Sequence, residues 1–421
     1  MPSVRRALPL LLSLACLAPG ARAATAQVAD TVRLAADLRV LAGAPALAGL
    51  PRQDTLVAHV LRELARAGWD TARTPFAARV PHPHGSYLHR LSPQPGQVPS
   101  FELRAGDDSL TFGGIWPPFA AYSPADSVEG PALYVNRGEP EDWRTLDSLR
   151  VDPGGAIAIV RTGRSSPLQV ARRAAARGVK ALVVFTDPLD AGYMHGETYP
   201  DGPWRHPDAL TRLPLVAGPG PQADAPIPVI PIGYGHAFQL MAAQRAGPVP
   251  QAWQGALPFR YHTGMGEVRA AVVTRRDADS AARRTLVNTV ATLGGRDAAL
   301  APLVVGAPRD ALGPGAIEQG SGVASLLELA RLLGARARDG WRPRRTIVLA
   351  TWEGSAWGQL GAMAFLASGR APFAYVELAR TGGGRRFHAA GTPALGPALA
   401  AALADVRGRG AWARVPDAER A

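Results

Sequence analysis

Residues 301–333 read APLVVGAPRDALGPGAIEQGSGVASLLELARLL. The opening run, 301–306, is short and apolar and gives way to turn residues, which predicts a buried strand. A glycine- and proline-bearing stretch follows, and 320–333 predicts a long helix with an apolar face. Working outward, 286–293 reads as a preceding strand, 346–352 as a following strand and 357–367 as another helix. Strands alternating with helices predict an α/β sandwich.

The first half of the chain is punctuated differently. From Asp30 to Trp69 the pattern is helical, with Val32, Leu38 and Leu41 and then Leu56, Val57, Val60, Leu61 and Leu64 at three- and four-residue spacing, and Gly68 is expected to stop the second helix. Residues 77–135 carry short apolar runs between prolines and glycines and read as strands and turns. Residues 155–160 form an apolar strand, 168–177 a helix ended by Gly178, and 179–185 a second strand, which together predict a parallel crossover. Residues 227–232 lead into a helix over 235–243, and 395–406 is the one periodic element of the last forty residues.

Length and composition bound the function. At 421 residues two or three domains are expected, and 47% hydrophobic with 19% charged residues excludes a wholly disordered chain. Forty-six basic against 34 acidic residues give +12, yet Lys180 is the sole lysine and the arginines are spread evenly. Without a clustered basic patch interleaved with aromatics, this charge predicts no nucleic-acid partner. Cys16 is the single cysteine, so an intramolecular disulfide and a Cys-based zinc site are both excluded. Arg5 and Arg6, an apolar run over 8–18 and Ala21-Arg22-Ala23 read as a signal peptide over 1–23, which predicts an exported, periplasmic or extracellular protein. A lipoprotein anchored through Cys16 is the lesser reading, because Ser13 stands where a large aliphatic residue is usual. No segment predicts a transmembrane helix.

Several segments carry a resemblance. Residues 288–295 (NTVATLGG), 340–347 (GWRPRRTI), 117–124 (PPFAAYSP), 155–161 (GAIAIVR) and the Tyr199-Pro200-Asp201-Gly202 turn are similar to those of the M28 zinc peptidases. The similarity lies in the branch of glutamate carboxypeptidase II and the transferrin receptor. It implies a peptidase-like (phosphorylase/hydrolase-like) α/β/α sandwich, incomplete at its C-terminus. That domain is expected to be discontinuous, over 30–82 and 286–421, with a β-rich α/β insert of protease-associated (PA) type over 83–285. The family's helical dimerisation domain has no counterpart in the sequence.

Active members hold two zinc ions with two His, two Asp and one Glu, and a second Glu acts as general base. Carried onto this chain, the resemblance places Pro308 at the first His, Glu318 at the bridging Asp, Ser355 at the base, Ala356 at the metal-binding Glu and Ala379 at the later Asp. The last His falls in a region without counterpart. Pro308, Ala356 and Ala379 offer no side-chain donor, and a zinc site needs three or four protein ligands. No cofactor is therefore expected, and the leading expectation is a non-catalytic homologue with a peptide or protein partner. A working zinc aminopeptidase or carboxypeptidase with ligands elsewhere and a truncated product without function are the alternatives. Arg212 lies near the place where glutamate-preferring relatives carry a carboxylate-binding arginine. Asp310, Glu318 and Glu353 form an alternative hard-cation set, though such sites usually take six or more oxygens. His82 and His84 read as an exposed proline-rich turn.

Overall fold

The computed structural model describes residues 29–98, 120–191, 207–210, 213–264, 266–279, 281–313, 315–369, 371–382, 388–408 and 419–420. The export segment with Cys16, residues 117–119, the turn at 199–202 and Arg212 lie outside the described residues. The chain divides into two compact units, the first holding the residues up to Phe76, Thr285–Ser355 and those from Gly361 on, the second Ala77–Arg284 and Ala356–Leu360.

The first unit opens with helices α1 (Thr31–Ala42) and α2 (Arg52–Arg66). Asp30 caps α1, its carboxylate accepting from the Val32 and Arg33 amides at 3.0 and 3.1 Å. Gly68 turns the chain after α2 with φ +89°, where an L side chain is strained. Strand β1 (Asp70–Arg79) then carries the chain into the second unit.

The second unit runs β2 (Pro83–Ser92), β3 (Gly96–Val98), β4 (Ala120–Ala121), β5 (Asp126–Tyr134), α3 (Pro140–Ser148), β6 (Ile157–Arg161), α4 (Pro167–Ala176), β7 (Ala181–Phe185), β8 (Leu213–Pro214), β9 (Val229–Pro231), α5 (Tyr234–Met241) and β10 (Arg269–Arg276). Its main sheet has the order β3-β2-β10-β5-β6-β7-β9. Strands β2, β10 and β5 pair antiparallel, whereas β5, β6, β7 and β9 pair parallel. Every residue of β6 and β7 is buried, as expected for parallel strands covered on both faces. The expected crossover is thus present as β6–α4–β7, and Ser166 caps its helix through the Gln169 amide.

The first unit resumes with β11 (Arg283–Leu293), β12 (Leu303–Pro308), a π-helical turn (Ala316–Gly320), α6 (Ser321–Arg338), β13 (Ile347–Trp352), α7 (Leu360–Ala367), β14 (Ala374–Glu377), β15 (His388–Ala389), α8 (Gly396–Gly408) and β16 (Glu419–Arg420). Its main sheet has the order β1-β11-β13-β12-β14, with β13, β12 and β14 parallel and β11 antiparallel to β13. Leu56, Val60 and Leu64 of α2 and Val323, Leu326, Leu327 and Ala330 of α6 share a core with Ala291, Val305 and Leu349 of the sheet. The opposite face packs Val290, Val304, Val348, Ala350 and Trp352 against Phe365 of α7. Mixed α/β sheets therefore form both units.

Three expectations about elements need correction. Strand β12 continues through Pro308, which has no amide to donate and ends the strand. Helix α7 begins at Leu360, because Gly358 and Gln359 sit at φ +107° and +59° and interrupt a helix. His82 is not an exposed turn residue: only 1% of its surface is accessible, and its ring meets the edge of Trp357 with centroids 6.1 Å apart. His84 is 71% exposed, and both imidazoles face the Asp277 carboxylate, at 3.7 and 3.5 Å.

Gly334 tests the packing of α6 by sign. Alanine is the better helix former by about 1 kcal/mol. A Cβ at Gly334, however, would overlap the Ala67 carbonyl oxygen. Gly334→Ala is expected to destabilise the protein by about 1–3 kcal/mol in a urea melt; a gain in stability would contradict this close approach.

Candidate functional site

The parallel register sets side by side the carboxyl ends of β12, β13 and β14. Pro308 is opposite Trp352, and Gly306 is opposite Glu377. The carboxyl ends of parallel strands are the usual place for a site in open α/β sheets. Pro308 ends β12, Ser355 lies three residues past β13 and Ala379 two residues past β14. The Leu378 amide continues the pairing to the Gly306 carbonyl at 2.8 Å. Glu318 reaches the same edge from the turn before α6, since its carbonyl accepts from the Arg380 amide at 3.2 Å. Pro308, Glu318, Ser355 and Ala379 are therefore on neighbouring segments of one edge, and Ala356 follows Ser355 in the chain.

Small residues make that approach feasible. Gly315 holds φ +68° before the turn, and a Cβ at Gly322 would overlap the Leu378 carbonyl oxygen. The hydroxyls of Ser325 and Thr381 hydrogen-bond at 2.8 Å, tying the first turns of α6 to the segment after β14.

Beneath the edge lies a buried charge. Arg309 is 3% exposed and uses four donor contacts: Nε to Gln53 at 2.9 Å, Nη1 to Thr351 Oγ1 at 2.8 Å, and Nη2 to the Val287 carbonyl at 2.6 Å and to Glu353 at 3.0 Å. Burial lowers the pKa of Arg309 from its ordinary value, and the Glu353 and Asp310 carboxylates oppose that shift. Glu353 also accepts from the Gly49 and Val287 amides, both at 2.7 Å. Asp310 is fully buried and accepts from the Ser355 amide at 2.8 Å. Both acids are thus buried and hydrogen-bonded within the scaffold.

The remaining acid, Glu318, accepts from the Arg380 guanidinium at 2.8 Å. Their side chains are 49% and 64% exposed. Ser355 is buried, and its hydroxyl finds no hydrogen-bond partner among the described residues. Among the described residues, no three His, Cys, Asp or Glu side chains are grouped as metal ligands would be. Sequence reasoning missed Arg309 and Arg380. The signal for the first was its place between a strand-ending proline and an aspartate, and nothing marked the second among so many arginines.

This topology is that of a peptidase-like α/β sandwich. Residues 288–386 match the model of peptidase family M28. The chain is 30% identical over 353 residues to aminopeptidase NAALADL1 of Rattus norvegicus, covering 71% of this chain and 45% of that protein. It is 28% identical over 319 residues to probable glutamate carboxypeptidase VP8 of Zea mays (74% and 44%), and 30% identical over 266 residues to transferrin receptor protein 2 of Homo sapiens (59% and 32%). Among solved structures, the peptidase M28 precursor from Shewanella amazonensis SB2B superposes with TM-score 0.55 at 16% identity, covering 93% of this chain and 78% of that one. The chain thus spans less than half the length of these curated relatives. It belongs to the M28 peptidase homologues, in the branch of NAALADL1, the glutamate carboxypeptidases and the transferrin receptors.

The buried pair yields a prediction. Arg309→Met leaves the Glu353 carboxylate buried and unpaired, and a loss of about 3–5 kcal/mol is expected. Adding Glu353→Gln should recover part of it, because the amide oxygen still accepts while the buried charge is gone. Denaturant melts of the single and double variants check this; equal stability of Arg309→Met and the parent chain would contradict it.

Proposed function

We propose that this chain is an exported M28 peptidase-like protein with a degenerate zinc site, that it does not hydrolyse peptides, and that it acts by binding a peptide or protein. Residues 83–285 are read as a PA-bearing insert, a reading supported by the parallel β5–β6–β7–β9 run with its crossover helix. The observation that carries the proposal is the state of Glu318. It is the one acid left among the assigned ligand positions, and its carboxylate is engaged by Arg380. Pro308, Ala356 and Ala379 bring no donor atoms, and the carboxylates of Asp310 and Glu353 are committed to the Ser355 amide and to Arg309. This donor set does not fit a pair of zinc ions.

Loss of the base has its own cost. General-base assistance is worth about 10²–10⁴-fold in rate, and Ser355 cannot take a proton at neutral pH as a carboxylate would. Nor, among the described residues, does its hydroxyl touch a base that would make it a nucleophile. Binding by a retained peptidase scaffold is supported by the similarity to transferrin receptor protein 2. Among the described residues, no helix is long and apolar enough to cross a membrane.

Two outcomes are expected. The purified chain with added zinc should show no turnover of aminoacyl or γ-glutamyl chromogenic substrates; turnover lost with a chelator and with Glu318→Ala would refute the non-catalytic reading. Conversely, Pro308→His, Glu318→Asp, Ser355→Glu, Ala356→Glu and Ala379→Asp, combined with Arg380→Ser, should raise zinc affinity in isothermal titration. No gain would count against the assigned positions.

A further inference from the structure

The second unit buries an arginine whose donors are only partly answered. Continued pairing brings the ends of β5, β6 and β7 level: the Arg161 amide donates to the Asn136 carbonyl and the Thr162 amide to the Phe185 carbonyl, both at 2.8 Å. These are carboxyl ends of parallel strands, where open α/β sheets hold their ligands. Arg161 closes β6 and is 4% exposed. Its Nε donates to Asn136 Oδ1 at 2.9 Å, but Nη1 is buried and has no hydrogen bond among the described residues. Arg309 of the first unit shows the usual state of a buried guanidinium, with all three nitrogens engaged. A buried donor without an acceptor carries its full desolvation penalty.

The acids around this end are engaged elsewhere. Asp142 accepts from the Asn136 side chain at 2.8 Å and from the Arg137 and Glu139 amides at 3.2 and 2.9 Å. Asp187 accepts from the Leu189 and Ala256 amides, both at 2.9 Å, and from the Tyr261 hydroxyl at 2.5 Å. Asp190 Oδ2 lies 3.8 Å from Arg161 Nη1, within ionic reach and beyond a hydrogen bond. Its Oδ1 accepts from Arg137 Nη2 at 2.6 Å, and its amide is tied to the Asp187 carbonyl at 2.9 Å, which holds it in the turn after β7. Asp190 and Arg137 reach the surface, with side chains 22% and 30% exposed.

We propose that Arg161 and Arg137 form a binding site for a carboxylate group, in which Asp190 is an internal stand-in. Nη1 of Arg161 is closed to solvent and Asp190 is not, so the ligand enters by turning the Asp190 side chain aside. Its two oxygens then answer Arg137 Nη2 and Arg161 Nη1 together, the planar pairing that guanidinium groups favour. The Asp142 and Asp187 carboxylates fixed close by disfavour a ligand with two negative charges, such as a phosphate. A small free acid and the C-terminus of a peptide both carry the required group. This site belongs to the second unit and stands whether or not the first unit holds zinc.

Isothermal titration of the full chain, in chloride-free buffer of low ionic strength, tests the site with acetate, tetra-alanine and tetra-alanine amide. At least one of the two acids should bind saturably, and the amide should bind more weakly by about tenfold or more. Binding of tetra-alanine without acetate assigns the site to a peptide terminus, and binding of acetate assigns it to small acids. Arg161→Gln should abolish binding. Asp190→Ala should tighten it by about tenfold, because the internal competitor is gone, and a misfolded chain cannot show such a gain. Equal binding of acid and amide, or binding that Arg161→Gln leaves unchanged, overturns the proposal. A parent chain that binds neither acid overturns it as well, even if Asp190→Ala then takes up acetate, since the substitution itself would have made that gap.

Discussion

A guanidinium removed from water must have its charge and its donors answered inside the protein, and Arg309 imposes that demand at the centre of the first unit. Its partners come from four places in the sequence: Gln53 on α2, Val287 on β11, Thr351 on β13 and Glu353 just beyond β13. Breaking such a pair leaves a buried charge, so each of these elements is fixed by the need to keep the others in place. Because Arg309 directly follows the last residue of β12, the constraint acts immediately below the edge where the assigned site positions lie. Asp310 transmits it one residue further by holding the Ser355 amide.

The scaffold of the edge and the chemistry of the edge are consequently separable. The buried network needs Arg309, Asp310, Glu353 and Gln53, and none of these is a position assigned to a metal ligand or base. The edge itself can change side chains at little energetic cost. Glu318 and Arg380 illustrate the contrast: both are largely in water, where an ion pair contributes about 0–1 kcal/mol. On the proposed assignment, proline, alanine and serine stand at these strand ends without entering the buried network, and Arg380 answers the charge of Glu318.

Much of this was legible in the sequence, for identifiable reasons. The alternation of apolar runs marked the strands and α6, since those residues face two covered sides of a sheet. That Pro308, Ala356 and Ala379 carry no side-chain donor was legible from their chemistry alone. The boundaries shifted where backbone conformation overrode hydrophobic pattern, as at Gly358 and Gln359 before α7. The buried pair was not legible because an arginine in an arginine-rich chain carries no mark of burial. Arg380 was hidden for a similar reason: its bond to Glu318 joins residues 62 positions apart and depends on the close approach of Gly322 to Leu378. His82 was misread because its burial depends on Trp357, which is remote in sequence.

The central claim is that this scaffold stands without a metal. Thermal melting of the purified chain with a chelator, and then with excess zinc, addresses it directly. A site filled to one hundred times its dissociation constant would stabilise the fold by about 2.7 kcal/mol, or roughly 5–10 °C for a domain of this size. The account predicts the same midpoint in both conditions. A midpoint that rises by several degrees with zinc and falls with the chelator would contradict it.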